Sequence, residues 1–554
     1  MYLREVTSPR KQGPDAVYLQ LVEGVRHPKT GKVHTRILHS FGRVDQLDTE
    51  RIRRLVNQLL RYLEEGRRPD LPFGVEITHT WDFGGPYLLD ALWRELKLDR
   101  FFTQALAERS FEQPVERALF TLVAQRALAP ASKLAATRWA GGRAWIPGLE
   151  GGGKDFEAQH FYRAMDFLFE AMPSLQQHLY FQVTDLLNAD VSVLFYDTTS
   201  VSFYLEEADP ADDPEGLRRY GYSKKKRPDL PQIVVALALN REGLPVRHWV
   251  FPGDQADVTT VERVITDLRG LRPRRFVFVG DRGLVSQENL DYLESRRLPY
   301  LLGCKLRGDE VVAERVLALR GRYRPVAEGL GVKETTVSEG GRTVRYLLCR
   351  DEARVAHDAR LRAGIVSALE AELASSRSRE RHTRKSCRLL SRPRYARYLR
   401  ELKDGGLRLD RAKIRREERL DGKWVLMTNE LELPAEELVR GYRDLWLAER
   451  AFRTMKSVLE IEPVYHRTPE RITAHVHLCV LAYLLTRVVE NRAQESWELA
   501  RERLERISLA RIEGGQAAVL ETKRLTPAEQ EFLKKCGVAP PPRIVGLLER
   551  KRNS

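Results

Sequence analysis

Two aspartates stand where short apolar runs stop. Asp197 follows the run in VSVLFYDTTS (191–200), and Asp281, 84 residues later, follows the run in FVFVGDRG (276–283). A carboxylate at the end of a buried strand is costly unless something compensates its charge. One such acid is ordinary turn chemistry, a surface aspartate capping the chain as it leaves the strand. The repeated arrangement shifts the balance toward a shared task. A third acid, Glu449, lies in YRDLWLAERAFRTMK (442–456), with Tyr442 seven residues before it and Lys456 seven after. On a helix these three fall within about 40° of one another. Acid and base at that spacing are common on solvated helix faces, so this pattern alone reads as structural. Asp254 and Asp257, in PGDQAD (252–257), are rival acids, and Asp257 reads as the cap of a following helix.

The elements that must hold these residues can be read from period and punctuation. Residues 191–196 form a strand ending at Asp197, and 232–240 and 245–251 are strands joined by the turn Arg241-Glu242-Gly243. A helix follows over 258–268, then the strand ending at Asp281, then a helix begun by Ser286, then a strand at 299–303. Residues 304–430 interrupt this layer with strand-like 343–349, helical 353–373 and strand-like 423–428. A long helix over 434–459 then carries Glu449. Upstream, 16–23 and 33–40 form a hairpin, 49–66 an amphipathic helix, and 75–79 a short strand. Residues 86–187 are mostly helical, broken at Ala129-Pro130 and around 148–153. The segment 111–140 could hold a helix-turn-helix, but core packing is the better reading. The expected units are 1–70 (hairpin and helix, read as DNA-binding), 71–190 (mostly helical, read as DNA-binding or scaffold), 191–303 (first part of the core), 304–430 (basic insertion), 431–490 (final core helices) and 491–554 (a helical C-terminal region, a candidate for dimerisation).

At 554 residues the chain exceeds a single ordinary core. Hydrophobic content of 42% with 31% charged residues excludes wholesale disorder. No uncharged apolar run reaches the roughly 18–20 residues that cross a bilayer, so no membrane partner is expected. The N-terminal segment lacks an apolar signal core, which points to the cytoplasm. Five scattered cysteines suggest neither a disulfide framework nor a zinc site. The net charge of +15 is concentrated: residues 377–419 hold 17 Lys or Arg against 6 Asp or Glu, a net of +11. That is the footprint of a polyanion, or else a solvated surface. His475 and His477, two apart on a helix, point about 200° from each other and cannot share a metal. The Gly151-Gly152-Gly153 stretch lacks the Lys-Ser/Thr of a nucleotide cradle.

Taken together, FYDTTS, GDRGL and Tyr-x6-Glu-x6-Lys resemble the DDE transposases of bacterial insertion sequences. The most similar group is the cut-and-paste one marked by Y-x2-R-x3-E-x6-K. The loop YGYSKKKRPDLP (220–231) is similar too, and the resemblance covers roughly 194–489. It implies a ribonuclease-H-like α/β core with a mixed sheet. The implied catalytic and metal-binding acids are Asp197, Asp281 and Glu449, with two Mg2+ (or Mn2+) ions. The implied DNA contacts are Tyr442, Lys456 and the loop lysines Lys224, Lys225 and Lys226. Double-stranded DNA, both terminal inverted repeats and target, is the implied partner, with a homodimer assembled on the ends. Three hard carboxylates suit such ions, which stabilise charge on attacking and leaving oxygens. One position departs from the signature: Leu445 stands where the arginine belongs. Arg453, four residues beyond Glu449, is the candidate replacement. A related nuclease without strand transfer, or a non-catalytic DNA-binding derivative, would share most of these residues.

Overall fold

The computed structural model describes residues 2–8, 16–26, 33–44, 75–109, 114–186, 193–204, 207–224, 227–271, 276–339, 341–375, 388–402, 406–514 and 517–549. The helix expected at 49–66, Lys225, Lys226 and part of the basic stretch lie outside them. The chain forms two compact units. The first comprises 1–79, 510–520 and 546–554, and the second 80–509 and 521–545.

The first unit opens with an antiparallel sheet of β1 (Tyr2–Ser8), β2 (Ala16–Arg26) and β3 (Val33–Arg43). The expected hairpin is present as β2–β3, and β1 adds a strand that alternation did not reveal. The short strand expected at 75–79 is β4 (Val75–Asp82).

In the second unit the helical segment is a packed scaffold. Helix α1 (Val115–Leu128) is buried at almost every position, and α2 (Ala158–Phe181) lies against it. The segment weighed as a helix-turn-helix is therefore interior packing. A later helix, introduced below as α7, is wedged against both. Arg126 on α1 donates to the carbonyls of Leu459 (3.4 Å) and Glu460 (3.2 Å), pinning the segment that follows the Glu449 helix.

The mixed α/β layer follows the expected order. It runs β5 (Val193–Ser202), β6 (Gln232–Leu239), β7 (Pro245–Pro252), α3 (Val261–Gly270), β8 (Val277–Gly280), α4 (Gln287–Ser295) and β9 (Tyr300–Gly303). The Ser286 hydroxyl caps α4 by accepting from the Asn289 amide at 3.1 Å. β5–β6 and β6–β7 are antiparallel, while β5–β8 and β8–β9 are parallel. The order β9-β8-β5-β6-β7 is that of a ribonuclease-H-like sheet. Side chains alternate between its faces. Phe195 and Val201 join the core shared with the helical scaffold, while Leu194 and Tyr196 join a core under α3 and α4. Burial on both faces explains why β5 and β8 read as unbroken apolar runs.

Three expectations need correction here. β5 does not stop at Tyr196: it continues through Asp197 to Ser202, because β6 pairs with it from Phe195↔Leu239 to Ser202↔Gln232. The Thr-Thr-Ser at 198–200 is held extended by its partners Ala236, Val235 and Val234 on β6. Next, residues 304–430 do not interrupt the sheet. Strands β10 (Arg324–Ala327), β11 (Leu330–Glu339) and β12 (Arg342–Asp351), with β15 (Lys423–Thr428) after the small pair β13 (Leu399–Glu401) and β14 (Leu407–Leu409), extend it past β9 in the order β10-β11-β12-β15-β9. The helix expected at 434–459 is also broken, into α5 (Ala435–Arg443) and α6 (Trp446–Ser457). At the break the Leu445 amide bonds to the Tyr442 carbonyl three residues back, a tighter turn than the α-helix.

Helix α7 (Pro469–Ala493) completes the layer. It is long and apolar enough to cross a bilayer, yet 89% of its apolar window is buried inside the protein, as befits a core helix. The region 491–554, expected to be helical, holds three strands as well as two helices, Trp497–Leu504 and Pro527–Lys535. β16 (Ser508–Gly514), β17 (Ala517–Thr522) and β18 (Ile544–Glu549) form a sheet in the order β18-β17-β16-β4. Their partner β4 lies more than 400 residues upstream, beyond what local pattern can reveal.

Candidate active site

Asp197 and Asp281 are brought side by side by one parallel ladder. The last β5–β8 pair is Tyr196↔Gly280, so the next residue on each strand is an acid. β8 ends there and β5 runs on, leaving one edge of β5 open beyond Tyr196. Asp197 lies on the β5 face shared with Phe195 and Val201, the face against which α6 packs. Burial pushes the Asp197 carboxyl up to about 6, as do the charges of Asp257 and Asp281; Lys224 and the Thr198 amide, which donates to it at 2.8 Å, pull it down. Removal from water is the largest of these effects, and the two acids add to it.

The helix half comes from α5 and α6. The Tyr442 hydroxyl donates to Asp281 Oδ1 at 3.3 Å, a long bond, and burial and the Asp281 charge raise its own pKa. Gly303 at the end of β9 makes this approach possible, since a Cβ there would collide with the tyrosine oxygen. Lys456 donates at 2.7 Å to both Thr199 Oγ1 and the Ser200 carbonyl on β5. Glu449 lies seven residues from each of these anchors and is exposed, while Leu447, Ala448, Ala451, Phe452 and Met455 bury the opposite face of α6. Thus Tyr442 is over the Asp281 end of the site, Lys456 is over β5 past Asp197, and Glu449 is on the stretch of helix between.

Leu445 is partly buried and packs against the core shared with the helical scaffold. Arg450 is occupied, reaching both Glu490 carboxylate oxygens on α7 at 3.2 Å. Arg453 is exposed and forms no ion pair among the described residues. Of the two nearby arginines it is the one available to a ligand.

Of the three loop lysines Lys224 is described, and it is more than part of a surface patch. Lys224, an exposed residue, reaches along β5, donating to the Thr198 carbonyl at 2.6 Å and to Thr198 Oγ1 at 2.9 Å. Carbonyls two apart on a strand point the same way. Lys224 on Thr198 and Lys456 on Ser200 therefore cap successive carbonyls of β5 next to Asp197. Asp257, expected to cap a helix, does not do so: its carboxylate takes the Thr198 hydroxyl at 2.6 Å and faces Lys224 at 3.3 Å. Its place beside the site is a contact that crosses from β5 to the start of α3. The only sequence signal was the acid-rich PGDQAD itself.

The histidines stay out of the site. His475 is bonded to Lys133 (2.9 Å) and the Ile461 carbonyl (3.0 Å), and His477 to His248 (3.3 Å), so the two point apart as expected. Among the described residues, no three His, Cys, Asp or Glu side chains are gathered as a ready ligand set. The donor chemistry nonetheless fits a divalent cation. Asp197 is half-buried beside two further acids, its carboxyl is raised first by removal from water and then by those acids, and its oxygens are the hard ligands such ions prefer.

The sheet thus places one acid within β5 and a second just past β8, with Lys224 and Lys456 along the adjoining open edge. Residues 192–485 match the transposase DDE domain, and residues 3–70 match the N-terminal domain of IS1634 family transposases. The chain belongs to the DDE transposases of insertion sequences, and it is a DNA transposase. No curated protein matches it. Among solved structures, a piggyBac transposase synaptic complex with hairpin DNA aligns over 76% of this chain and 78% of its own. At 10% identity and a TM-score of 0.33, that likeness is too distant to carry any argument.

Proposed function

We propose that this transposase performs cut-and-paste transposition through one site built on Asp197, Asp281 and Glu449, using two Mg2+ or Mn2+ ions. The observation that carries this is the pairing of Asp197 and Asp281 at the end of the β5–β8 ladder, beneath the helix bearing Glu449. When bound, the ions would supply Lewis-acid stabilisation of the attacking and leaving oxygens. Water attacks first, at the element's terminal inverted repeat; the 3′-hydroxyl so formed then attacks target DNA.

The chain's own residues have distinct parts. Asp197 and Asp281 present fixed carboxylate oxygens from rigid strands. Tyr442 steadies Asp281, and Lys456 holds an ammonium at the strand edge where a phosphate would lie, adding charge without taking an acceptor position. Arg453 contacts the DNA backbone in place of the signature arginine. The basic stretch at 377–419 grips DNA independently of sequence, and the N-terminal unit reads the ends. Two copies pair the two ends, acting on DNA in the cytoplasm.

Incubating the full chain with end DNA, target DNA and Mg2+ tests this. The expected products are cleaved ends and ends joined to target. Nicks without joining would indicate a nuclease lacking strand transfer, and cleavage unaffected by Asp197→Ala would defeat the assignment of the site.

A further inference from the structure

Lys224 occupies an unusual place. Its loop is pinned before the lysine is reached: Gln232 Nε2 donates to the Tyr222 carbonyl at 3.1 Å and to the Gly253 carbonyl at 2.9 Å. Gly221 and Gly253 approach so closely that a Cβ on Gly221 would strike the Gly253 carbonyl oxygen. The Lys224 amide then donates to Ser200 Oγ at 3.3 Å, and its ammonium reaches Thr198. Three groups hold that ammonium: the Thr198 carbonyl, the Thr198 hydroxyl and the Asp257 carboxylate. The Thr198 hydroxyl in turn donates to the other Asp257 oxygen at 2.6 Å, closing the arrangement.

Thr198 is the residue after Asp197, and its amide donates to the Asp197 carboxylate. The clamp therefore places one positive charge and one further negative charge immediately beside the first catalytic acid. Lys456, the other ammonium on this edge, faces Glu462 at 3.7 Å as well as β5, so it is not solely the counter-charge of Asp197. An ammonium fixed beside a carboxylate opposes any cation that approaches the same carboxylate. A fourth acid holding that ammonium offsets the opposition.

We propose that Lys224 and Asp257 are a positioning pair that sets the cation affinity of the site, with Lys224 the resident counter-cation and Asp257 the carboxylate that holds it. Before a divalent ion arrives, Lys224 balances part of the negative charge around Asp197 and keeps the strand end in place. When the ion binds, the ammonium remains on Thr198 as an opposing charge, which restrains affinity and leaves room for substrate oxygens to complete the ion's shell. This rests on the proposed reading of Asp197 as a metal ligand.

The test is Mn2+ binding to the full chain without DNA, read by titration calorimetry, with thermal melting as a check on folding. Lys224→Met keeps the side-chain length and removes the charge, and should tighten Mn2+ binding on the order of five- to tenfold. Asp257→Asn should weaken it by a similar factor. The double variant, with both charges gone, should return close to the parent, a compensation that simple structural damage would not produce. Unchanged or weaker binding in Lys224→Met, or additive losses in the double variant, would overturn the proposal. Asp197→Asn separates the two readings. If it abolishes Mn2+ binding while Lys224→Met changes nothing, only the positioning pair fails. If Asp197→Asn binds like the parent, the reading of Asp197 as a ligand fails and takes the pair with it.

Discussion

The strand half and the helix half of this site are held by different means. Asp197 and Asp281 emerge from strands buried on both faces, and a single hydrogen-bonded ladder sets their spacing. Glu449 projects from the exposed face of α6, with its anchors, Tyr442 and Lys456, seven residues away on either side. A ladder with packed faces leaves a carboxylate little freedom, whereas a long side chain on an exposed helix face keeps its rotamers. Asp197, within β5 and half-buried, is thus the most confined of the three, whereas Asp281 just past β8 and Glu449 on α6 are both exposed.

The largest effects should come from the strand half. Asp197→Ala or Asp281→Ala should lower end cleavage by roughly a thousandfold or more, in a gel assay with Mg2+, without loss of the folded state. Glu449→Gln should cost comparable activity yet keep most of the Mn2+ binding of the DNA-free protein. If it lost binding as fully as Asp197→Asn, the distinction between the halves would collapse.

A smaller effect is expected where the halves touch. Gly303→Ala adds a methyl at the Tyr442 hydroxyl and should displace it from Asp281. Cleavage should fall roughly ten- to a hundredfold, as for other small misplacements near a reacting centre. Cleavage at the parent rate would mean that Tyr442 is not needed at Asp281.

Acidity should act on the strand half as well. The Asp197 carboxyl is raised to about 6, so protons compete with metal below that value. At limiting Mg2+, cleavage should rise about tenfold per pH unit up to about pH 6 and then level off. Stability of the metal-free protein has the opposite sign. A raised folded-state pKa contributes stability that is full below the unfolded value, roughly 3.9, and is lost as pH rises through about 6. A rate profile flat between pH 5 and 7 at limiting metal would count against Asp197 as a ligand.

The smallest contrast lies within the helix half. Arg453→Ala should weaken binding to end DNA several-fold and reduce its salt dependence, since one phosphate contact is lost. Arg450→Ala should leave DNA binding intact. It breaks a partly exposed ion pair to Glu490, and should lower Tm by only about one or two degrees. Equal effects of the two on binding would remove Arg453 from the DNA contacts.

The legible parts of this protein were local ones. Apolar runs stopping at acids marked Asp197 and Asp281, and the turn Arg241-Glu242-Gly243 and the Ser286 cap marked strand and helix limits, because each signal spans only a few residues. What could not be read depended on partners distant in the chain. Thr198 to Ser202 look like a turn until β6 pairs with them. The segment 304–430 looks like an interruption until β15 pairs with β9. The C-terminal strands lack meaning without β4.

The same division runs through the site. Sequence by itself determined the residue types, the order of the core elements and the family they resemble, since those are written in spacing and composition. Only the tertiary structure decided that Leu445 packs, half-buried, against the core while Arg453 remains exposed. It alone decided that Lys224 points at the strand and that Asp257 belongs beside Asp197. A side chain's partner is chosen by which backbone arrives next to it, and in this chain those arrivals cross from 26 to more than 250 residues.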